Sequence, residues 1–239
     1  MQARWTFSLY PQAAEGGGCF ASSCAAEGAR RGQSDPVRSQ EEAGRRARAK
    51  LRRYCAANRL NRFGTLTYAY SCRDPRQLRV DVGGFFRGLR RELGGGALPY
   101  AWTSEWHPGG HGLHVHFAVG RYVGQRLIRD VWGLGIVHIK LIGDLPHGSG
   151  ALEEARVAAS YLAKYVSKSL DDERRAAGLH RYEVAQGFQP ERVRLAGRLE
   201  AQVLAEASER MGGEPSRVWR SSSAEGWSKP PALWCAWSD

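Results

Sequence analysis

Ala159–Lys168 reads Ala-Ser-Tyr-Leu-Ala-Lys-Tyr-Val-Ser-Lys, and its side chains can do chemistry on a phosphodiester. Tyr161 and Tyr165 are four residues apart, and each is followed three positions later by a lysine, Lys164 and Lys168. A helix turns about 100° per residue, so positions i, i+3, i+4 and i+7 share a face and all four polar groups project together. Ala155, Ala159, Leu162, Val166 and Leu170 fall on the neighbouring face, where they can pack on a core. A phenol is a nucleophile once it loses its proton, and nearby ammonium groups favour the phenolate below its ordinary pKa of about 10. The same lysines can hold a phosphate. The segment alone also fits an amphipathic helix with snorkelling lysines and half-buried tyrosines.

A second group lies upstream, in Leu113-His114-Val115-His116-Phe117. Side chains alternate along a strand, so His114 and His116 share one face while Leu113, Val115 and Phe117 share the other. Two imidazoles so placed can grip one divalent ion, although His-x-His by itself is a weak signal. Glu105 strengthens it. It stands near the end of the preceding strand, which a short loop, His107-Pro108-Gly109-Gly110-His111-Gly112, returns antiparallel to the histidine strand. His107, His111 and His138 are competing ligands. Two imidazoles and a carboxylate leave coordination positions open for phosphate oxygens, which suits Mn²⁺ or Mg²⁺ better than a closed structural zinc site. A metal there would polarise and orient a scissile phosphate.

The elements that must position these groups follow from periodicity. Arg62–Tyr68 alternates and is rich in β-branched and aromatic residues, a strand. Asp74-Pro75 opens a helix whose Leu78, Val82, Phe85, Phe86, Leu89 and Leu93 recur at helical spacing until the Gly94–Gly96 stop. Strands are predicted over 98–106 and 113–119, a short helix over 124–132, a strand over 135–142, a loop over 144–150 and the tyrosine helix over about 152–170. The order βαββαβ is that of an α+β, ferredoxin-like or RRM-like antiparallel sheet with helices on one face, and the tyrosine helix follows it. Residues 1–58 read as an N-terminal arm and basic helix, 59–171 as the catalytic domain, and 172–239 as an extension. In that extension Pro190–Met211 looks helical, and Trp219, Trp227, Trp234 and Trp237 stand among Ser and Pro. Tryptophans can stack on bases, and a tail wrapping back on its domain buries them equally well.

Lys and Arg exceed Asp and Glu by 11, and the pI is about 9.8. Arg45, Arg46, Arg48, Lys50, Arg52 and Arg53 concentrate that charge on one predicted helix, which reads either as a solvated face or as a row of phosphate contacts. No apolar run reaches the roughly 18 residues of a membrane span, and the N-terminus lacks the pattern of a secretory signal. Five scattered cysteines fit a reducing cytoplasm, and Cys19 with Cys24 lacks the second pair that a zinc site needs. No G-x4-G-K-[ST] loop occurs, so an ATP-driven helicase activity is not expected.

Three stretches taken together resemble the HUH endonucleases that initiate rolling-circle replication, and within them the initiator (Rep) proteins of actinobacterial plasmids and phages. Phe63-Gly64-Thr65-Leu66-Thr67 resembles the family's first, structural motif, His114-Val115-His116 its histidine motif, and Tyr161–Lys168 the motif of the two-tyrosine branch. The resemblance covers about residues 60–170. It implies a DNA nickase and strand transferase in which a tyrosine attacks the origin phosphate, leaving a 5′-phosphotyrosyl link and a free 3′-hydroxyl, and later rejoins the strand. By this resemblance Tyr165 is the initiating nucleophile, Tyr161 its alternate, and Lys164 and Lys168 orient the phosphate. The implied partners are single-stranded or hairpin origin DNA, with unwinding and synthesis borrowed from a host helicase and polymerase. The same chemistry would serve a conjugative relaxase or a two-tyrosine transposase. A non-catalytic ferredoxin-like module that binds nucleic acid is a further reading, although such modules usually display aromatics where this strand displays histidines.

Overall fold

The computed structural model describes residues 4–21, 36–107, 109–141, 150–168 and 182–238. In chain order the elements begin with β1 (Arg4–Tyr10), β2 (Glu15–Ala21), α1 (Pro36–Ala57), β3 (Arg62–Tyr68) and α2 (Pro75–Glu92). There follow β4 (Tyr100–Trp106), β5 (Leu113–Val119), α3 (Gln125–Trp132), β6 (Gly135–Leu141) and α4 (Ala151–Lys168). The chain closes with β7 (Glu183–Val184), β8 (Val193–Gly197), α5 (Glu200–Met211), β9 (Arg217–Arg220) and β10 (Ala232–Ala236). They form two compact units, Gln40–Phe188 and the combination of Met1–Ser39 with Gln189–Asp239.

In the unit Gln40–Phe188 five antiparallel strands lie in the order β6-β3-β5-β4-β7. The first four reproduce the strand order of a ferredoxin-like sheet, as the periodicity predicts. Asp74 caps α2 by accepting a hydrogen bond from the Arg76 N–H at 2.8 Å, with Pro75 in the first turn. Gly133, at φ 61°, ends α3 in the left-handed conformation that glycine tolerates best. Leu66, Val115, Phe117 and Val137 pack with Val82, Phe85, Phe86 and Leu89 of α2 and with Ile128 and Trp132 of α3. At Gly64 a Cβ would stand 2.3 Å from the Phe117 ring, so the Phe-Gly-Thr strand needs a glycine there to let that ring lie across it.

Helices cover both faces of this sheet, not the one face expected. Phe63, Ala101 and Ala118 form a second core with Leu51, Tyr54 and Cys55 of α1 and with Ala158, Ala159, Leu162 and Val166 of α4. The small Ala101 and Ala118 face one another across β4 and β5 and leave room for a helix to approach. All seven residues of β5 are consequently buried. The basic helix is thus a wall of this unit: Tyr54 is buried and its hydroxyl donates to the Ala185 carbonyl at 3.1 Å.

In the other unit the strands run β8-β1-β2-β10-β9. The sequence suggests a loosely attached arm over residues 1–40, whereas β1 and β2 occupy interior positions of this sheet. Pro190–Met211 is expected to be helical throughout, yet Val193–Gly197 is a strand paired with β1 and only Glu200–Met211 is helix. The alternation of Leu195, buried, with Arg194 and Ala196, exposed, is a strand period that its charged neighbours conceal. Leu9, Phe7 and Leu195 are buried on one face with Val203 and Ala207 of α5. Trp237 is buried, and its indole N–H donates to the Gly213 carbonyl at 2.8 Å. This partition differs from the 1–58, 59–171 and 172–239 division, because the two ends of the chain share one sheet.

Candidate metal centre and tyrosine helix

Antiparallel register brings the three expected ligands together. Glu105 of β4 lies directly opposite His114 of β5, and Thr103 and Thr65 flank His116 on either side. Directly opposed residues point to the same face of a sheet, so Glu105, His114 and His116 all face α4. The imidazole Nε2 atoms are 3.0 Å apart. Glu105 Oε2 lies 3.3 Å from His114 Nε2 and 3.2 Å from His116 Nε2. Their side chains are only 13, 10 and 7 % exposed for Glu105, His114 and His116.

A carboxylate this far from water needs a compensating positive charge. The donor atoms fit a divalent ion as that compensation. Adjacent ligands of a six-coordinate ion with bonds of about 2.1 Å lie about 3.0 Å apart, and the three donors stand at 3.0 to 3.3 Å. Three donors on one side leave the other positions for water or substrate oxygens. Among the described residues they are the one grouping of His, Cys, Asp and Glu side chains that converges in this way. The geometry admits a metal without choosing between Mn²⁺ and Mg²⁺.

Of the competing ligands, His107 and His111 lie on the connecting loop. The His107 ring centroid is 5.7 Å from that of His114, and His107 Nδ1 accepts from the Gly109 N–H at 3.0 Å. His138 sits opposite Thr65 on β6 and is exposed. None of the three joins the converging group. Gly112, at φ 91°, permits the tight return; a Cβ there would meet the Cys72 carbonyl at 2.4 Å.

The tyrosine helix packs over this site. Leu162 and Val166 are fully buried in the α4 side of the core, while Tyr161 and Lys164 are exposed. Tyr165 is half-buried, and its ring stacks on the imidazole of His116 with centroids 3.7 Å apart and planes 17° from parallel. Phe63 continues the arrangement at 5.6 Å from His116 and 5.9 Å from Tyr161. The Lys168 side chain and Leu170 lie outside the described residues. Of the six basic residues on α1, Arg45, Arg46 and Lys50 are exposed and Arg48, Arg52 and Arg53 half-buried, with Arg45 reaching Glu42 at 3.4 Å.

One participant escapes sequence reasoning. The Thr65 hydroxyl is 3.1 Å from His116 Nδ1, so it engages the ring nitrogen that faces away from the ligand cluster. When Nδ1 carries the proton and donates to Thr65, Nε2 keeps its lone pair for a metal. The motif strand Phe63–Thr67 therefore contributes more than a hydrogen-bonded ladder: Phe63 buttresses the rings and Thr65 orients a ligand. The available signal is the alternation that puts Phe63, Thr65 and Thr67 on one face, but only the register with β5 reveals what they meet.

Comparison with known proteins agrees with the placement of these motifs. Residues 61–170 match the family model for the replication-associated protein ORF2. The match supports a replication-associated, DNA-binding role consistent with rolling-circle initiation, and it spans β3 through α4, the segment that builds the ligand cluster and the tyrosine helix. No curated protein and no solved structure matched the chain.

Proposed function

We propose that this chain initiates rolling-circle replication by nicking one DNA strand through metal-assisted tyrosine transesterification. The observation that carries this reading is the stacking of Tyr165 on His116, which puts a nucleophile-bearing helix against the Glu105, His114 and His116 donors. A bound divalent ion supplies Lewis-acid polarisation of the scissile phosphate. Glu105, His114 and His116 hold it and leave its outer positions to the substrate.

Within that frame a phenol oxygen, from Tyr165 first and Tyr161 as alternate, forms a bond to phosphorus. The bond from phosphorus to the 3′-oxygen breaks, the phenol proton is lost to solvent, and the leaving 3′-oxygen takes up a proton. The products are a 5′-phosphotyrosyl link and a free 3′-hydroxyl, and reversal by another 3′-hydroxyl rejoins the strand. Covalent catalysis of this kind divides one difficult displacement into two easier ones. Lys164 and Lys168 hold non-bridging oxygens, and the basic face of α1, through Arg45, Arg46, Arg48, Lys50, Arg52 and Arg53, contacts the DNA backbone. Single-stranded or hairpin origin DNA is the substrate, with a host helicase and polymerase supplying unwinding and extension.

The test uses single-stranded oligonucleotides labelled at either end, incubated with Mn²⁺ or Mg²⁺ and separated on denaturing gels. Protein retained on the fragment 3′ of the cut, with a free 3′-hydroxyl on the other fragment, is the expected result. Tyr165→Phe, Tyr161→Phe and the double variant then assign the nucleophile. Absence of any covalent adduct with either metal, across oligonucleotides tiling the replication origin of the element that encodes the chain, would refute the reading.

A further inference from the structure

The unit formed by the two chain ends has one sheet face covered by α5 and another left open. Cross-strand register defines the open face. Arg194, Ser8, Gly17, Trp234 and Trp219 are consecutive partners across β8, β1, β2, β10 and β9, so they form one row. A neighbouring row runs Ala196, Thr6, Cys19 and Ala232, and a third runs Tyr10, Glu15, Ala236 and Arg217. Thr6, Cys19, Arg194, Ala196, Arg217 and Trp219 are exposed, which leaves the floor accessible to solvent.

This floor is flat, aromatic at one end and cationic. Gly17 has no side chain, and the Trp234 indole lies over it, 3.5 Å from where a Cβ would stand. Trp219 is 39 % exposed and packs edge-on against Trp227, itself 38 % exposed, with centroids 5.5 Å apart. The far end carries Arg194, and Arg192 reaches the Ser8 hydroxyl at 2.7 Å. The charges separate by face. On the strands, the open face carries Arg4, Arg194 and Arg217 against one buried acid, Glu15, while the covering helix carries Glu200, Glu206 and Glu209. Strands stand about 4.8 Å apart, so four spacings from Arg194 to Trp219 span about 19 Å.

We propose that this open face is a second binding surface, separate from the tyrosine site, for single-stranded nucleic acid. Bases stack on Trp219 and Trp227, sequence-tolerantly because every base has a π-face. The small side chains of the middle strands let the strand lie close, and the arginines take its phosphates. Salt sensitivity follows, each lost phosphate contact reducing the slope of log affinity against log salt by about 0.7. The surface holds the displaced strand or a flanking segment of the substrate while the other unit does the chemistry.

The experiment uses the full chain, chelator to prevent cleavage, and a fluorescein-labelled oligo(dT) of about 16 nucleotides, at the upper end of the site sizes for such surfaces. Trp219→Ala is expected to weaken binding by about five-fold or more, the low end of what losing one base–aromatic stack costs. Arg194→Ala should weaken it and flatten the salt dependence. Arg210→Ala removes the same charge from α5, where Arg210 pairs with Glu206 at 2.9 Å, and should change neither. In the unaltered protein a 5-iodouracil oligonucleotide should photocross-link to Trp219, Trp227 or Trp234, a readout that does not depend on any variant folding. Affinities of Trp219→Ala and Arg194→Ala equal to that of Arg210→Ala, or adducts confined to residues 40–188, would overturn the assignment and leave the face to a protein partner.

Discussion

Replacing Thr65 by valine keeps the shape of the side chain and removes only its hydroxyl, which makes it the sharpest probe of the ligand cluster. The hydroxyl is 3.1 Å from His116 Nδ1. His116 is 7 % exposed, so water has little access to replace the lost partner. A buried donor deprived of its partner costs about 1–3 kcal/mol. Losing an outer hydrogen bond to a metal-binding histidine lowers affinity by about 10- to 100-fold, equivalent to about 1.4–2.8 kcal/mol. The two estimates overlap, so Thr65→Val should weaken Mn²⁺ binding by at least about ten-fold. Calorimetric titration of Mn²⁺ into apo-protein measures this without any reaction. Thr65→Ser keeps the oxygen and should bind nearly as the unaltered chain does. The cleavage defect of Thr65→Val should shrink as Mn²⁺ is raised toward saturation, because the change lies in occupancy and not in the nucleophile. Affinity for Mn²⁺ in Thr65→Val equal to that of the unaltered chain, with the fold intact by circular dichroism, would refute the role given to this hydroxyl.

Metal binding should also raise thermal stability. At 100-fold excess over Kd a ligand that binds only the folded state contributes about 2.7 kcal/mol, or several degrees in Tm for a unit of this size, at roughly 2–4 °C per kcal/mol; differential scanning fluorimetry should show the shift in the unaltered chain and lose it in His114→Ala and Glu105→Ala. Gly64→Ala would put a Cβ 2.3 Å from the Phe117 ring and should cost about 1–3 kcal/mol in urea unfolding, with no change in stability telling against the close approach. Burial holds the Tyr54 phenol neutral well above its usual range, while in the unfolded chain it ionises near pH 10, to within about a unit. The stability from its neutral form is therefore complete below that pH and declines as pH rises toward the folded value, so urea midpoints measured from pH 8 to about 11 should fall less steeply in Tyr54→Phe. Burial pushes the Cys235 thiol up to about 11 and raises that of Cys55 as well, so at pH 8 a thiol reagent should modify exposed Cys19 long before either.

The ferredoxin-like half is legible because its periods are unmixed. Leu113–Val119 and Arg62–Tyr68 alternate cleanly, α2 carries an uninterrupted apolar stripe, and the short loop after Trp106 forces Glu105 back toward the histidines. The covering of the second face is not legible. The apolar residues of α1, Leu51, Tyr54 and Cys55, sit among arginines that dominate any reading of that segment. The sheet built from the chain ends is hidden for a different reason. β1 alternates well enough, as Trp5, Phe7 and Leu9 are buried between exposed or half-buried neighbours. Its partner β2 contains Gly16, Gly17 and Gly18, which have no side chains to alternate, and its other partner β8 lies at the far end of the sequence. Pairing across so long a separation leaves no local signature.

The parts of the candidate site are mechanically linked, which neither motif reveals alone. Thr65 fixes the imidazole of His116 through Nδ1, and the face of that imidazole supports the ring of Tyr165 at 3.7 Å. Phe63, two residues before Thr65 on the same strand face, stacks at 5.6 Å from His116 and 6.3 Å from Tyr165, with its plane 18° from each. A rotation of His116 would thus disturb a metal donor and the seat of a tyrosine together. Stacking contacts of this kind are worth about 0.5–1.5 kcal/mol each beyond the area they bury, enough to bias the tyrosine's position but small enough to yield when DNA competes for the space. The helix bearing the nucleophiles is anchored by Leu162 and Val166, which are fully buried, so such yielding is confined to the side chains. Position in this site is therefore set by the strand Phe63–Thr67 as much as by the histidines it faces.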